Sequence, residues 1–122
     1  QWVSSKGQFI TDLYSFSFDQ PAKWNIQALT DCELYSIDKK DYALLNELVP
    51  NWSKMEKQFI AGCFVQLEDR VFSHLSLSAE ERYDKLFEHN PELFNHVPLQ
   101  FLASMLGMSP ETFSRIRNKK IS

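Results

Sequence analysis

Apolar and polar residues alternate near the start of the chain and shift to helical spacing further along. Trp24, Ile26 and Ala28 are separated by Asn25 and Gln27, and Thr30-Asp31 then turns the chain into Cys32-Glu33-Leu34-Tyr35-Ser36-Ile37. A period of two buries one face of a strand, so this stretch predicts a β-hairpin. A weaker alternation from Phe9 to Phe18 predicts an earlier strand. Three or four strands form an incomplete sheet, with an open edge and an uncovered face. The chain opens on Gln1 rather than Met, so the expectation is that further strands precede it or that a partner completes the sheet.

From Asp38 onward the spacing is that of helices. Asp38 is placed to accept from the backbone N–H groups of a first turn, and Asp41 favours the same positive end. Tyr42, Leu45 and Leu48 give the apolar stripe, which Pro50 ends. Between Asn51 and Leu75 there is no Pro and only one Gly, Gly62. Ile60, Phe64, Leu67 and Val71 follow at intervals of 4, 3 and 4, the spacing of a coiled-coil seam, with a second stripe of Met55, Phe59 and Cys63 beside it. A helix of ~25 residues is ~37 Å long, more than a domain of this size buries. The seam therefore predicts a two-fold dimer interface, with one wide core face as the plainer reading. Ser78-Ala79-Glu80-Glu81 is a capping box; Tyr83, Leu86 and Phe87 form the inner face behind it, and Asn90-Pro91 stops that helix.

The stretch from Leu99 to Asn118 meets the requirements of a helix-turn-helix. Two helices crossing at close range need a small residue at the crossing, Ala103, and the turn needs a residue that tolerates positive φ, Gly107. Leu102 and Leu106 fill the angle from the first helix, Met108 from the turn, and Phe113 and Ile116 from the second. Ser109 caps the second helix with Pro110 at its first position. An ordinary helical hairpin would share these packing residues but gives no reason for the polar face they leave outside. Glu111, Ser114, Arg115 and Arg117 project from that face, and Asn118, Lys119 and Lys120 complete the set expected to contact DNA. Arginine can bond guanine O6 and N7, and a carboxylate can accept from cytosine N4.

Charge sharpens this picture. The net charge of −3 is unevenly spread. Residues 98–122 hold Arg115, Arg117, Lys119 and Lys120 against Glu111, a net +3, which leaves −6 on the other 97 residues. A phosphate backbone responds to such local positive charge whatever the total. With 43% hydrophobic and 24% charged residues the composition is that of a globular domain, not a disordered one. No apolar run reaches the ~18 residues of a membrane span, and no secretory signal is visible. Cys32 and Cys63 lie outside any CxxC framework and read as buried small apolar residues in a reducing compartment, with a disulfide as the alternative, which makes the cytoplasm the expected compartment.

The run Ser109-Pro110-Glu111-Thr112-Phe113-Ser114-Arg115-Ile116 resembles the recognition helix of Crp/Fnr transcription regulators, with the E-x-x-S-R pattern of the Fnr branch. The resemblance implies that Glu111 and Arg115 read bases and that Ser114 supports the DNA contact. It implies that residues 1–37 are the last strands of a cyclic-nucleotide-type β-roll, 38–50 the helix after it and 51–75 the dimerisation helix. This sequence departs from the family in two places. Where the nucleotide-sensing branch carries an Arg-Ser-Ala step, this chain reads Pro21-Ala22-Lys23, with Ala22 at the arginine position. The chain also ends at Ser122, directly after the recognition helix, leaving no residues for the family's wing.

The expected architecture is α+β: a partial β-roll, a long dimerisation helix and a C-terminal helix-turn-helix of winged-helix type lacking its wing. Its divisions are 1–50, 51–76 and 77–122. The expected function is a homodimeric, sequence-specific regulator that binds double-stranded DNA, responds to an unidentified small-molecule effector and contacts no membrane. A small-ligand receptor or dimeric scaffold whose helix-turn-helix contacts protein is the alternative. No enzyme activity and no cofactor or metal is expected: His74, His89 and His96 lack ligands at metal spacing, and no phosphate-binding or nucleophile motif occurs.

Overall fold

Capping chemistry decides where this chain becomes helical. The computed structural model describes residues 2–122, and among them are seven helices and no strand. These are α1 (Leu13–Phe18), α2 (Lys39–Leu48), α3 (Trp52–Ser76), α4 (Ala79–His89), α5 (Leu93–His96), α6 (Leu99–Met105) and α7 (Pro110–Ile121). Asp12, Asp38, Ser78 and Ser109 each accept from the backbone N–H three residues on, satisfying a donor that the first turn leaves without a partner. At Ser78 the exchange is reciprocal: Glu81 accepts from the Ser78 N–H at 2.8 Å, and Ser78 Oγ accepts from the Glu81 N–H at 3.3 Å. Pro50 ends α2 by forcing Val49 into an extended conformation (φ −115°, ψ 116°). Asn51 then takes a left-handed φ of 61° and redirects the chain into α3.

The α+β expectation, with its partial β-roll, is corrected by this result. Phe9–Phe18 does not extend as a strand, because Asp12 nucleates α1 through Ser15 N–H. The other oxygen of the same carboxylate takes the N–H groups of Lys23 (2.7 Å) and Trp24 (3.0 Å), donors that a β-ladder would have used. Residues 20–37 are irregular, and among the described residues no backbone–backbone hydrogen bond lies within that stretch. The alternating apolar residues are present but uncovered: Trp24 is 75% exposed and Leu34 74%. Alternation shows that a strand would have one apolar face; it does not supply the neighbouring strands that make a sheet stable.

Residues 11–69 form one unit and residues 2–10 with 70–122 another. The first is held by local contacts. Tyr42 sits edge-on to both Phe16 (5.1 Å) and Trp52 (5.7 Å), and its hydroxyl donates to Glu56 at 2.6 Å. The buried apolar residues all belong to the second unit: Tyr83, Leu93, Leu102, Ala103, Leu106, Phe113 and Ile116. Phe113 and Ala103 are fully enclosed, so α6 and α7 cross where the small residue permits close approach. Burying one large apolar side chain stabilises by about 1.5–3 kcal/mol, and this cluster holds the helix-turn-helix together.

Candidate nucleic-acid interface

Helix α6 ends in a Schellman turn. The Met108 N–H donates to Ala103 O (3.0 Å) and the Gly107 N–H to Ser104 O (3.1 Å), with Gly107 left-handed at φ 65°. Glycine is needed here for a second reason. A Cβ at residue 107 would lie 2.9 Å from Cδ2 of His74, whose ring is held by a 2.9 Å bond between Nδ1 and Arg70 O. Ser109 then starts α7: its Oγ accepts from Thr112 N–H at 3.2 Å, and Pro110 occupies the first position.

Two arginines fasten the end of α6. Arg70 of α3 donates to Met105 O at 3.1 Å, and Arg82 of α4 donates through Nε to Leu106 O at 2.8 Å and through Nη1 to Leu77 O at 2.6 Å. These carbonyls have no intrahelical partner, and a cation at a helix C-terminus also opposes its negative end. Charge-assisted bonds to them are stronger than neutral ones. Arg70, His74 and Arg82 were not identified by sequence reasoning. Their contacts reach across 24 to 35 residues, and no local pattern marks them.

With α6 fixed, α7 presents two distinct faces. Phe113 and Ile116 point into the core, whereas Glu111, Arg115 and Asn118 are exposed and Ser114 is half-buried. Spacings of four and then three residues place Glu111, Arg115 and Asn118 along one line of the helix, with Ser114 beside them. Arg115 has no ion-pair partner among the described residues. The Glu111 carboxyl is held below its usual range, first by its own backbone N–H and then by Ser109, so it stays an acceptor at the start of α7. Arg117 is exposed on the flank, toward Tyr83.

The two lysines lie elsewhere. Lys119 pairs with Glu80 at 3.1 Å; Lys120 pairs with Asp84 at 2.8 Å and with Glu80 at 3.4 Å. The hydrogen bonds from Lys119 and then Lys120 keep Glu80 ionised below its ordinary range. Two of the four cations counted toward a basic patch are thus largely neutralised by α4, and the outward charge of α7 rests on Arg115 and Arg117.

On α3, Ile60 (56%), Phe64 (60%), Leu67 and Val71 (50% each) are exposed along one row. Met55 and Phe59 are about as exposed, and both cysteines are exposed, which corrects the expectation that they are buried. At the departure from the nucleotide-binding pattern, Ala22 is exposed, and the Lys23 ammonium lies over the Tyr14 ring at 3.8 Å. Among the described residues no helix is long and apolar enough to cross a membrane, and no group of three or more potential metal ligands occurs. Comparison with known protein families, with curated proteins and with solved structures finds no match for this chain.

Proposed function

We propose that this chain is a homodimeric, sequence-specific DNA-binding transcription regulator of the Crp/Fnr kind, acting in the cytoplasm by binding and not by catalysis. One observation carries the reading: Glu111, Arg115 and Asn118 share the solvent-facing side of α7 with half-buried Ser114 beside them, and the turn behind them is pinned by a Schellman motif and two arginines. A helix that must enter a groove needs polar side chains on its outer face and a rigid mount on its inner one. Arg115 is assigned to a guanine edge, Glu111 to a cytosine amino group and Ser114 to support of the contact. Asn118 continues their row, and Arg117 lies on another side of the helix, toward Tyr83. Lys119 and Lys120 take a lesser, backbone role because α4 already pairs them.

The row Ile60, Phe64, Leu67 and Val71 is assigned to the two-fold seam. Its support is a heptad spacing on a 25-residue helix whose apolar side chains are left half or more exposed in the single chain. A two-fold dimer brings its recognition helices to successive major grooves, one helical turn of about 34 Å apart.

Selection of bound sequences from a random DNA pool tests the reading. Wild-type protein should recover a palindromic site, and Arg115→Ala should lose about 1–3 kcal/mol on it and relax the preference at one base pair per half-site. Recovery of the same site with the same stringency by Arg115→Ala would refute the assignment. Failure of the wild type to enrich any sequence would refute the function itself.

A further inference from the structure

The C-terminal unit also carries an open cleft of about 510 Å3 between α4, α5 and α7, on a side of α7 other than the row Glu111–Arg115–Asn118. Its floor is aromatic. Phe94 meets Tyr83 at 5.2 Å and Phe87 at 5.1 Å, both edge-on, and Phe87 remains 50% exposed. The polar groups around that floor are unequal. Asp84 is the only acid of the lining, and Lys120 ties it at 2.8 Å. Arg117 has no ion-pair partner among the described residues, and it lies near enough to Tyr83 to act on the phenol. Asn95 adds an amide at the rim.

We propose that this cleft binds a small aromatic carboxylate, with its ring on Phe87 and Phe94 and its carboxylate accepting from Arg117. Each part of the lining selects against a different class. An aliphatic or purely phosphate ligand leaves the exposed aromatic floor in water. An aromatic cation meets the unpaired guanidinium. A neutral aromatic leaves the exposed Arg117 to water, whereas a carboxylate accepts from it with bidentate geometry. The volume falls in the range of small-molecule sites, about 300–1,000 Å3, and an apolar floor with a few convergent polar groups is their usual make-up. This inference does not depend on α7 binding DNA.

The test uses the full chain, isotopically labelled, titrated with 2-naphthoate, 2-naphthalenemethanol and 2-naphthylmethylammonium and followed by amide chemical shifts. Shifts should concentrate at residues 83–87, 94–95 and 117–121. The acid should bind about two- to fivefold tighter than the alcohol, the size of one exposed ion pair, and the ammonium should bind weakest. Arg117→Gln should bring acid and alcohol level, and Phe87→Ala, at a half-exposed position, should weaken both. Three results would overturn the proposal: an acid no tighter than the alcohol, a preference that survives Arg117→Gln, or shifts that fall elsewhere or never saturate.

Discussion

Substituting Gly107 with alanine probes the turn on which the helix-turn-helix depends, and the structure separates its cost into two parts. The first is conformational. Residue 107 sits at φ 65°, and a residue with a Cβ pays about 1–2 kcal/mol to adopt the left-handed region. The second is steric. The new Cβ would stand 2.9 Å from His74 Cδ2 and 3.2 Å from Nε2, closer than carbon packs. His74 is exposed and its ring can swing aside at the cost of its bond to Arg70 O, about 0.5–1.5 kcal/mol. Gly107→Ala should therefore destabilise the C-terminal unit by about 1.5–3.5 kcal/mol. A double-mutant cycle isolates the parts: in a His74→Ala background the clash is gone, and only the conformational share, about 1–2 kcal/mol, should remain. Urea denaturation followed by circular dichroism gives all four stabilities. A Gly107→Ala cost under about 0.5 kcal/mol, within the scatter of neutral surface changes, would show that the turn is not built as described. Equal costs in the two backgrounds would show that His74 is not the obstacle.

Truncating Phe113, fully enclosed beneath α6, to alanine should cost about 3–5 kcal/mol in the same denaturation assay, and a cost near that of a surface change would misplace the core. Tyr42 is raised from 10.0 to about 12, chiefly because its hydroxyl donates to Glu56. The protonated phenol is thus favoured by the fold, its stabilising contribution is complete below pH 10 and is lost as pH rises through about 12. Ultraviolet titration should show two of the four tyrosines ionising late, Tyr83 because it is buried and Tyr42 because of Glu56, and Tyr42→Phe should remove the later phase; its survival in the variant would reassign it. Replacing Lys120 with methionine should barely change the salt dependence of DNA binding, since its charge is spent on Asp84 and Glu80. A slope lowered by about one would place this lysine on a phosphate instead. Phe64→Glu should yield monomers in sedimentation, because a seam burying two unpaired carboxylates loses several kcal/mol, and a persistent tight dimer would move the interface off the Ile60–Val71 row.

The parts of the fold legible in the sequence are those written by neighbours. Ser78 with Glu81, Ser109 with Pro110, and Gly107 between Leu106 and Met108 each act within a few residues, so spacing alone locates α4, α7 and the turn. The strand reading of residues 9–37 fails because alternation is a statement about one strand's faces, while a sheet is a statement about its neighbours. Asp12 resolves the competition locally, by capping α1 and drawing in Lys23 and Trp24. Arg70 and Arg82 were illegible for the opposite reason: a carbonyl at a helix end can be capped by a cation from anywhere in the chain. Charge counting erred in the same way, because Lys119 and Lys120 are close to Arg117 in sequence but spend their charge on acids 36 to 40 residues away.

The arrangement of α7 separates the residues that hold the fold from those available to a ligand. The inner row, Phe113 and Ile116, is enclosed, so changes there act on stability. The outer row, Glu111, Arg115 and Asn118, makes no packing contact on which the core depends, so its side chains are free to vary without unfolding the domain. That freedom has value only if the helix does not turn when its outer face is loaded. A turn held by hydrogen bonds to Ala103 and Ser104 alone leaves the last carbonyls of α6 to water, and a force on α7 could unwind it. Guanidinium groups from α3 and α4 close that route by bonding Met105 O and Leu106 O. Arg70 has a wider consequence, because it stands one residue before Val71, the last position of the proposed dimer seam. A single turn of α3 thus carries both a residue of the proposed seam and a clamp on the end of α6, so the proposed dimerisation would draw on the same stretch of helix that sets α7.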